Sequence, residues 1–256
     1  MFALITNDDG VFARGLRALV EEFVDGFEVV AVVPDRERTA ISHAISLHKA
    51  LRVHKVEGLL PCVAYVVNGT PADCVLIALE EILERRPDVV ISGINRGPNV
   101  GEDVTYSGTV GAAIEATIAG IPAAAISITS RKPRHWRTAA HFAKLVAERL
   151  SEEGLPEGVY INVNVPDLPL EEVKGVEVTR QGWRRYKSVV EKGVDPHGGE
   201  FLWIGGGTPI DERVPGTDVA AMYEGKVSIT PLKIDATCEE MIGRLKGWAE
   251  AMRAKR

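Results

Sequence analysis

Phe2-Ala3-Leu4-Ile5-Thr6-Asn7-Asp8-Asp9-Gly10 is the stretch that decides how this chain is read. Its first five residues form an apolar run of strand length, and Leu16, Leu19, Val20 and Phe23 recur behind it at helical spacing. A buried strand followed directly by an amphipathic helix is the opening unit of an α/β domain. Asn7 to Gly10 then fall at the carboxyl end of that strand, where open α/β sheets bind their ligands. Adjacent carboxylates on Asp8 and Asp9 repel each other when ionised, and a hard divalent cation with oxygen ligands satisfies both. The same tetrapeptide also suits a simple turn, because Asn, Asp and Gly favour turn geometry.

The alternation of strand and helix signals continues through residue 150. Strands are expected at Phe27 to Val33, Arg52 to Val56, Cys62 to Val67, Asp88 to Ser92 and Pro122 to Ile128. Thr70-Pro71 opens a helix, with Thr70 as N-cap and Pro71 in the first turn, expected to run to about Arg85. Thr109 to Ala119 reads as a helix of small residues, and 135–150 as another amphipathic one. The pattern predicts a Rossmann-like, mostly parallel sheet with helices on both faces.

One further strand is expected at Val159 to Val165, after which the pattern changes. Gln181 to Tyr186 and Glu200 to Ile204 read as paired strands of an extended arm around Asp195-Pro196-His197-Gly198-Gly199. A late strand falls at Lys226 to Thr230, and Met241, Leu245, Trp248 and Met252 share one face of a C-terminal helix. The division expected is a catalytic α/β domain over 1–174 and, over 175–256, a β-rich arm with helix that serves oligomerisation. Trp183, Tyr186 and Trp203 read first as subunit packing, with contact to a base as the alternative.

Composition narrows the function classes. At 256 residues, 45% hydrophobic and 26% charged, the chain has the make-up of an ordinary globular protein with room for a large core. A net charge of −6 argues against long nucleic acid as a partner, which needs a basic footprint. No run of apolar residues spans a bilayer and no secretory leader is apparent. Cys62, Cys74 and Cys238 are odd in number and lack metal-ligand spacing, so a reduced, intracellular protein is expected.

Three loops behind predicted strands carry the remaining chemistry. Pro34 to His43 is long for such a connection and rich in hydroxyls and bases. Gly93-Ile94-Asn95-Arg96-Gly97-Pro98-Asn99 offers neutral oxygens, amide donors and glycines that let backbone approach a ligand. Tyr106-Ser107-Gly108-Thr109 starts a helix, either as a plain N-cap or as an anion site built from free N–H groups and hydroxyls. Arg36, Arg38 and Arg96 are phosphate partners or solvated side chains, and His43, His48 and His54 read as surface or packing residues. Together, carboxylates and amide oxygens for a cation beside donors for an anion are what metal-assisted phosphoryl transfer requires.

The ordered set of motifs resembles the SurE family, the survival-protein 5′-nucleotidases. It comprises Thr6 to Val11, Pro34-Asp35-Arg36, Gly69 to Val75, Ser92 to Asn99, Tyr106 to Thr109, Asn162 to Pro166 and Val227 to Leu232. The resemblance implies a divalent-metal-dependent phosphomonoesterase that hydrolyses nucleoside 5′- and 3′-monophosphates in the cytoplasm, as a homodimer or homotetramer. It implies one Mg²⁺ or Mn²⁺ per subunit on Asp8, Asp9, Thr39 and Asn95, with Asp8 and Asp9 catalytic. Asn7, Arg96, Asn99, Ser107, Gly108 and Thr109 are the implied phosphate- and substrate-binding residues. The family usually carries Ser where Thr39 stands; Thr keeps the hydroxyl but is stiffer at χ1, and Ser42 is the nearest substitute. Two rival readings are a receiver-type phosphorylation module, disfavoured because the Asp88 to Ser92 strand ends without an acceptor Asp, and a catalytically silent nucleotide sensor.

Overall fold

In a computed structural model of the chain, residues 1–187, 190–205 and 207–254 are described. Strand β1 (Phe2–Thr6) leads into helix α1 (Arg14–Phe23) and β2 (Glu28–Pro34). Next come β3 (Val53–Val56), β4 (Val63–Val67) and α2 (Pro71–Ile77), then β5 (Val89–Arg96), α3 (Asp103–Tyr106) and α4 (Gly108–Ile118). Strand β6 (Ala123–Ile128), α5 (Trp136–Glu153), β7 (Val159–Val165) and β8 (Val176–Val178) follow. The arm contains β9 (Trp183–Lys187), β10 (Val190–Val194), β11 (Glu200–Ile204) and β12 (Thr208–Glu212). Helix α6 (Asp218–Glu224), β13 (Val227–Lys233) and α7 (Glu239–Arg253) complete the order.

Nine strands form one sheet in the order β3-β4-β2-β1-β5-β6-β7-β13-β8. From β4 to β7 every neighbouring pair is parallel. Only β3 against β4 and β13 against β7 run antiparallel. The apolar runs become the central strands because both their faces are covered. On one face α1 and α5 bury Leu16, Leu19, Phe23, Ala140 and Ala143 against Ile5, Ile91 and Ile126. On the other, α2 and α4 bury Cys74, Val75, Val110, Ala113 and Ala116 against Leu4, Val32 and Val90. The chain leaves β1 toward β2 on one side and returns through β5 on the other, so the switch in strand order lies between β1 and β5.

The expected Rossmann-like sheet and most of its elements are found, with four differences. The helix after Thr70 has the expected capping box with Asp73, but its regular part ends at Ile77 and a π-helical turn over Ala78–Ile82 closes it, the Leu83 N–H reaching back to the Ala78 carbonyl. Pro87, which restricts the residue before it, stops any run-on. Strand β5 extends past Ser92 into the expected loop, because pairing with β6 resumes at Asn95 after a register shift. In the arm, Trp183–Lys187 pairs with Thr208–Glu212, and Glu200–Ile204 pairs with Val190–Val194, instead of the two aromatic segments pairing together. The local turn wins: the Asp195 carboxylate accepts from the His197 and Gly199 amides and closes the inner hairpin first.

The fourth difference lies beyond residue 174. Strands β8 and β13 belong to the main sheet, so the C-terminal segment divides between sheet and arm. Helix α6 was not anticipated, although Thr217 caps its start and Gly225, at φ 73°, closes its end. Helix α7 has the expected apolar stripe, yet none of its residues is buried and Trp248 is 51% exposed. Among the described residues no helix is long and apolar enough to cross a membrane.

Helix α1 packs closely on β5 at Gly15. A Cβ added at Gly15 would lie 2.2 Å from the Ile94 carbonyl oxygen and 2.8 Å from the Trp136 ring. Gly15→Ala, which in an exposed helix gains up to ~1 kcal/mol, should here destabilise by about 1–3 kcal/mol. Urea unfolding reads the sign directly; a variant as stable as the parent would refute this packing.

Candidate active site

Asn7 ends β1 in a turn that bonds to itself. Its Nδ2 donates to the Gly10 carbonyl at 3.0 Å and its Oδ1 accepts from the Gly10 amide at 3.1 Å. That turn directs Asp8 inward and leaves Asp9 half-exposed. Asp8 is 4% exposed, and its Oδ1 accepts from the Thr109 hydroxyl at 2.7 Å. Helix α4 can approach this closely because residue 108 is glycine: a Cβ there would sit 3.1 Å from Asp8 Oδ2 and 2.9 Å from Ile41 Cγ2. Burial pushes the Asp8 carboxyl up to about 7, the Thr109 hydroxyl and amide pull it down, and the Asp9 charge adds to the rise. Burial also raises Asp9, offset in part by the Arg96 charge.

Both carboxylates open onto a cleft of about 870 Å³ at the β1/β5 switch point. Asp8, Asp9, Thr39, Asn95, Asn99 and Ser107 are among the residues that line it, together with Arg96 and Glu37. Asn95 donates from Nδ2 to the Gly97 carbonyl at 2.8 Å, which leaves its Oδ1 for the cleft. Thr39 is exposed and donates to Glu37, whose carboxylate lies 3.6 Å from Arg96. Ser42, the alternative hydroxyl, is engaged elsewhere: it donates to the Thr105 carbonyl at 2.8 Å.

Asn99 sits in a buried amide lattice. Its amide donates to Asn164 Oδ1, its Nδ2 donates to Ser127 Oγ, and its carbonyl accepts from both Asn162 and Asn164. Ser107 caps α4, its hydroxyl accepting from the Val110 amide at 3.1 Å. Asn7 and Thr109, read from sequence as phosphate ligands, do not line the cleft and are 1% and 0% exposed. Their polar atoms are bonded within the protein, Asn7 to Gly10 and Thr109 to Asp8. Of the expected phosphate partners, Arg96, Asn99 and Ser107 reach the cleft, with Gly108 against Asp8 behind them.

A second part of the lining was largely missed by sequence reasoning, which offered Tyr186 alone, as a contact to a base second to subunit packing. It is made by Arg131, by Arg184 and Tyr186 of β9, and by Thr208 and Pro209 of β12. No local motif marks these residues, because the long-range fold of the arm brings them there. The one available signal was the aromatic and basic content of Trp183-Arg184-Arg185-Tyr186.

Asp8 and Asp9 make no ion pair with a basic side chain among the described residues, and two buried or half-buried carboxylates without one suit a cation. The described residues contain no group of three or more His, Cys, Asp and Glu placed to hold a metal. Two carboxylates with neutral amide and hydroxyl oxygens instead match a hard, oxygen-binding ion better than zinc. Fold and site together define a Rossmann-like α/β protein with an acidic, oxygen-lined cleft at the strand ends, of the kind that supports phosphoryl chemistry.

Comparison with known proteins makes this specific. The family model described as "Survival protein SurE" matches residues 3–188, and the chain belongs to the SurE family. A 5′-nucleotidase SurE from Heliobacterium modesticaldum is 44% identical, the match covering 97% of this chain and 92% of that protein. One from Geobacter sp. strain M21 is 47% identical over 97% of this chain and 99% of its own. The crystal structure of the SurE protein from Aquifex aeolicus superposes with a TM-score of 0.84 at 40% identity, covering 97% of this chain and all of that one.

The raised Asp8 carboxyl has a consequence for stability. Because the folded protein holds this proton more tightly than the unfolded chain, the Asp8 contribution to metal-free stability is fully present below about pH 4 and is lost as pH rises through about 7. Asp8→Asn removes this penalty. In chelator, the variant's stability advantage over the parent should grow by about 2–3 kcal/mol between pH 5 and pH 8. A constant difference across that range in urea titrations would contradict the burial of a charged Asp8.

Proposed function

We propose that this chain is a phosphomonoesterase that cleaves nucleoside 5′-monophosphates, and 3′-monophosphates as a second set, to nucleoside and inorganic phosphate. The observation that carries the reading is the buried Asp8 carboxylate beside Asp9, without a basic partner, facing amide and hydroxyl groups across one cleft. The named 5′-nucleotidases among its relatives, matched over nearly their full lengths, support the same activity. The reaction takes up one water, breaks the bond from phosphorus to the ester oxygen, and returns that oxygen protonated on the nucleoside.

Asp8 and Asp9 would hold one Mg²⁺ or Mn²⁺ per subunit, with Thr39 and Asn95 supplying neutral oxygens. Bound there, the ion supplies polarisation of the phosphoryl oxygens and neutralises charge that develops on them. Thr109 keeps Asp8 aimed at the cleft, and the Asn7 turn keeps Asp9 beside it. Asn99, held by Asn162, Asn164 and Ser127, offers its remaining amide hydrogen to the phosphate, with Ser107 and the Arg96 guanidinium as further donors. Preorganised donors of this kind need no rearrangement when charge builds on the phosphoryl group.

We assign oligomerisation, as homodimer or homotetramer, to α7 and the inner hairpin β10–β11. Support comes from the unburied stripe of Leu245, Trp248 and Met252 and from exposed Leu202, Trp203 and Ile204. The catalytic unit is then 1–174 together with β8 and β13. A cytoplasmic setting fits the free thiols of Cys62, Cys74 and Cys238.

Metal-stripped protein should release phosphate from nucleoside monophosphates only after Mg²⁺ or Mn²⁺ is restored. Asp8→Asn should lower kcat by about a hundred- to a thousandfold while the fold is kept. Phosphate release above a tenth of the parent rate in that variant would sink the assignment of Asp8, and metal-independent release in the parent would sink the role of the cation.

A further inference from the structure

The cleft over Asp8 and Asp9 is larger than a phosphoryl group and one cation require, and about 870 Å³ is the size of pockets that enclose whole small molecules. Part of its wall is the outer hairpin of the arm, with Arg184 and Tyr186 on β9 and Thr208 and Pro209 on β12, where Tyr186 pairs with Pro209. This wall is a braced structure. Arg184 is 7% exposed and grips Asp211 with two prongs, Nε to Oδ1 at 2.7 Å and Nη2 to Oδ2 at 2.8 Å, while Nη1 reaches Asp103 at 3.2 Å. The Asp218 carboxylate accepts from the Gly101 amide at 3.0 Å and the Gly182 amide at 2.7 Å, tying the start of the arm to the loop before α3. The Tyr186 hydroxyl donates to Asp103, 2.7 Å from Oδ2, so its half-buried ring is held in one orientation at the cleft surface.

The chemistry of the wall selects its occupant. The charge of Arg184 is met by Asp103 and Asp211, so of the wall's two cations only Arg131, whose charge also reaches Tyr186, has no ion-pair partner among the described residues. A fixed aromatic face beside apolar Pro209 suits a flat, neutral ring, and every nucleobase offers one. We propose that the outer hairpin β9–β12 forms the nucleoside subsite of this chain: the base packs on the Tyr186 ring, and Arg184 is the positioning residue that holds the wall against the Asp103 segment. The inference rests on the nucleotidase reading and adds to it the place where the base is recognised. It also gives the outer half of the arm a role within its own subunit, distinct from the contacts assigned to the inner hairpin.

The test compares adenosine 5′-monophosphate with ribose 5-phosphate, which lacks only the base, in the full-length metal-loaded protein. The readout is the ratio of kcat/KM for the two substrates. Tyr186→Ala should lower that ratio about tenfold, the fold-change expected when one base loses an aromatic partner. Tyr186→Phe, which keeps the ring, should hold it within about twofold. Arg184→Lys, which cannot make the two-pronged contact with Asp211, should lower it as well. If Tyr186→Ala does not fold, Tyr186→Leu takes its place, and weakening of competitive inhibition by free adenosine gives a second measure. An unchanged ratio in the Ala or Leu variant, or an equal fall in Tyr186→Phe, overturns the inference. Failure of the parent protein to turn over any nucleotide overturns the nucleotidase reading itself, so the two failures are distinguishable.

Discussion

A single buried carboxylate organises this molecule. Asp8 lies at the end of a fully buried strand, where ionisation is penalised by loss of water, and much of its surroundings addresses that penalty. The Thr109 hydroxyl and the amino end of α4 meet it from one side, and this requires α4 to begin with glycine. The Asn7–Gly10 turn closes the other side and delivers Asp9 next to it. Loop 39–44 is then laid over the start of α4, with Ser42 bonded to the Thr105 and Tyr106 carbonyls and with Ala40 and Ser42 both at φ 56°. Such left-handed backbone is uncommon outside glycine and persists where the surroundings over-determine it.

Two further polar structures hold the rest of the cleft in place, and they differ in kind. Behind Asn99, a lattice of neutral amides and hydroxyls from β6 and β7 is sealed inside the sheet, where hydrogen bonds are strong because water is absent. Across the cleft the bracing is ionic. Burial would raise the Asp211 carboxyl, but its hydrogen bonds to Arg184 and Tyr223 outweigh that and hold it below its ordinary value. A neutral lattice suits a wall buried inside the sheet, where an unpaired charge would be costly. An ion-pair brace suits the arm, which has little apolar core of its own to anchor it.

The fold was legible in proportion to how local its causes are. Buried runs such as Glu28–Pro34 and Val159–Val165 report their own strand character, and Thr70 with Asp73 announces a helix start, because burial pattern and capping chemistry act over a few residues. Less legible were features set by competition. Strand β5 runs beyond Ser92 because β6 is there to pair with Asn95 and Arg96, and a glycine-rich sequence cannot signal a partner thirty residues away. The arm mispairing arose likewise: Trp183–Lys187 and Glu200–Ile204 each have strand character, but the Asp195 turn gave the second of them a nearer partner.

The same division runs through the site. Sequence by itself determined that Asp8, Asp9, Asn95, Asn99 and Ser107 gather at one cleft, because each lies at or just beyond a strand end or opens a helix, and strand ends of a parallel sheet converge whatever lies between them. It also determined the donor types available there, an acidic pair with neutral amide and hydroxyl groups, since residue types are read off the chain. Only the tertiary structure decided which of these side chains reach open space. Thr109 and Asn7 turn out to be occupied inside the protein, and Ser42 is engaged by the Thr105 carbonyl. Only the tertiary structure placed Arg184, Tyr186 and Thr208 in the same cleft as Asp8, because their position depends on polar contacts spanning some eighty residues of sequence, from Asp103 to Arg184 and Tyr186, a separation that no local pattern encodes.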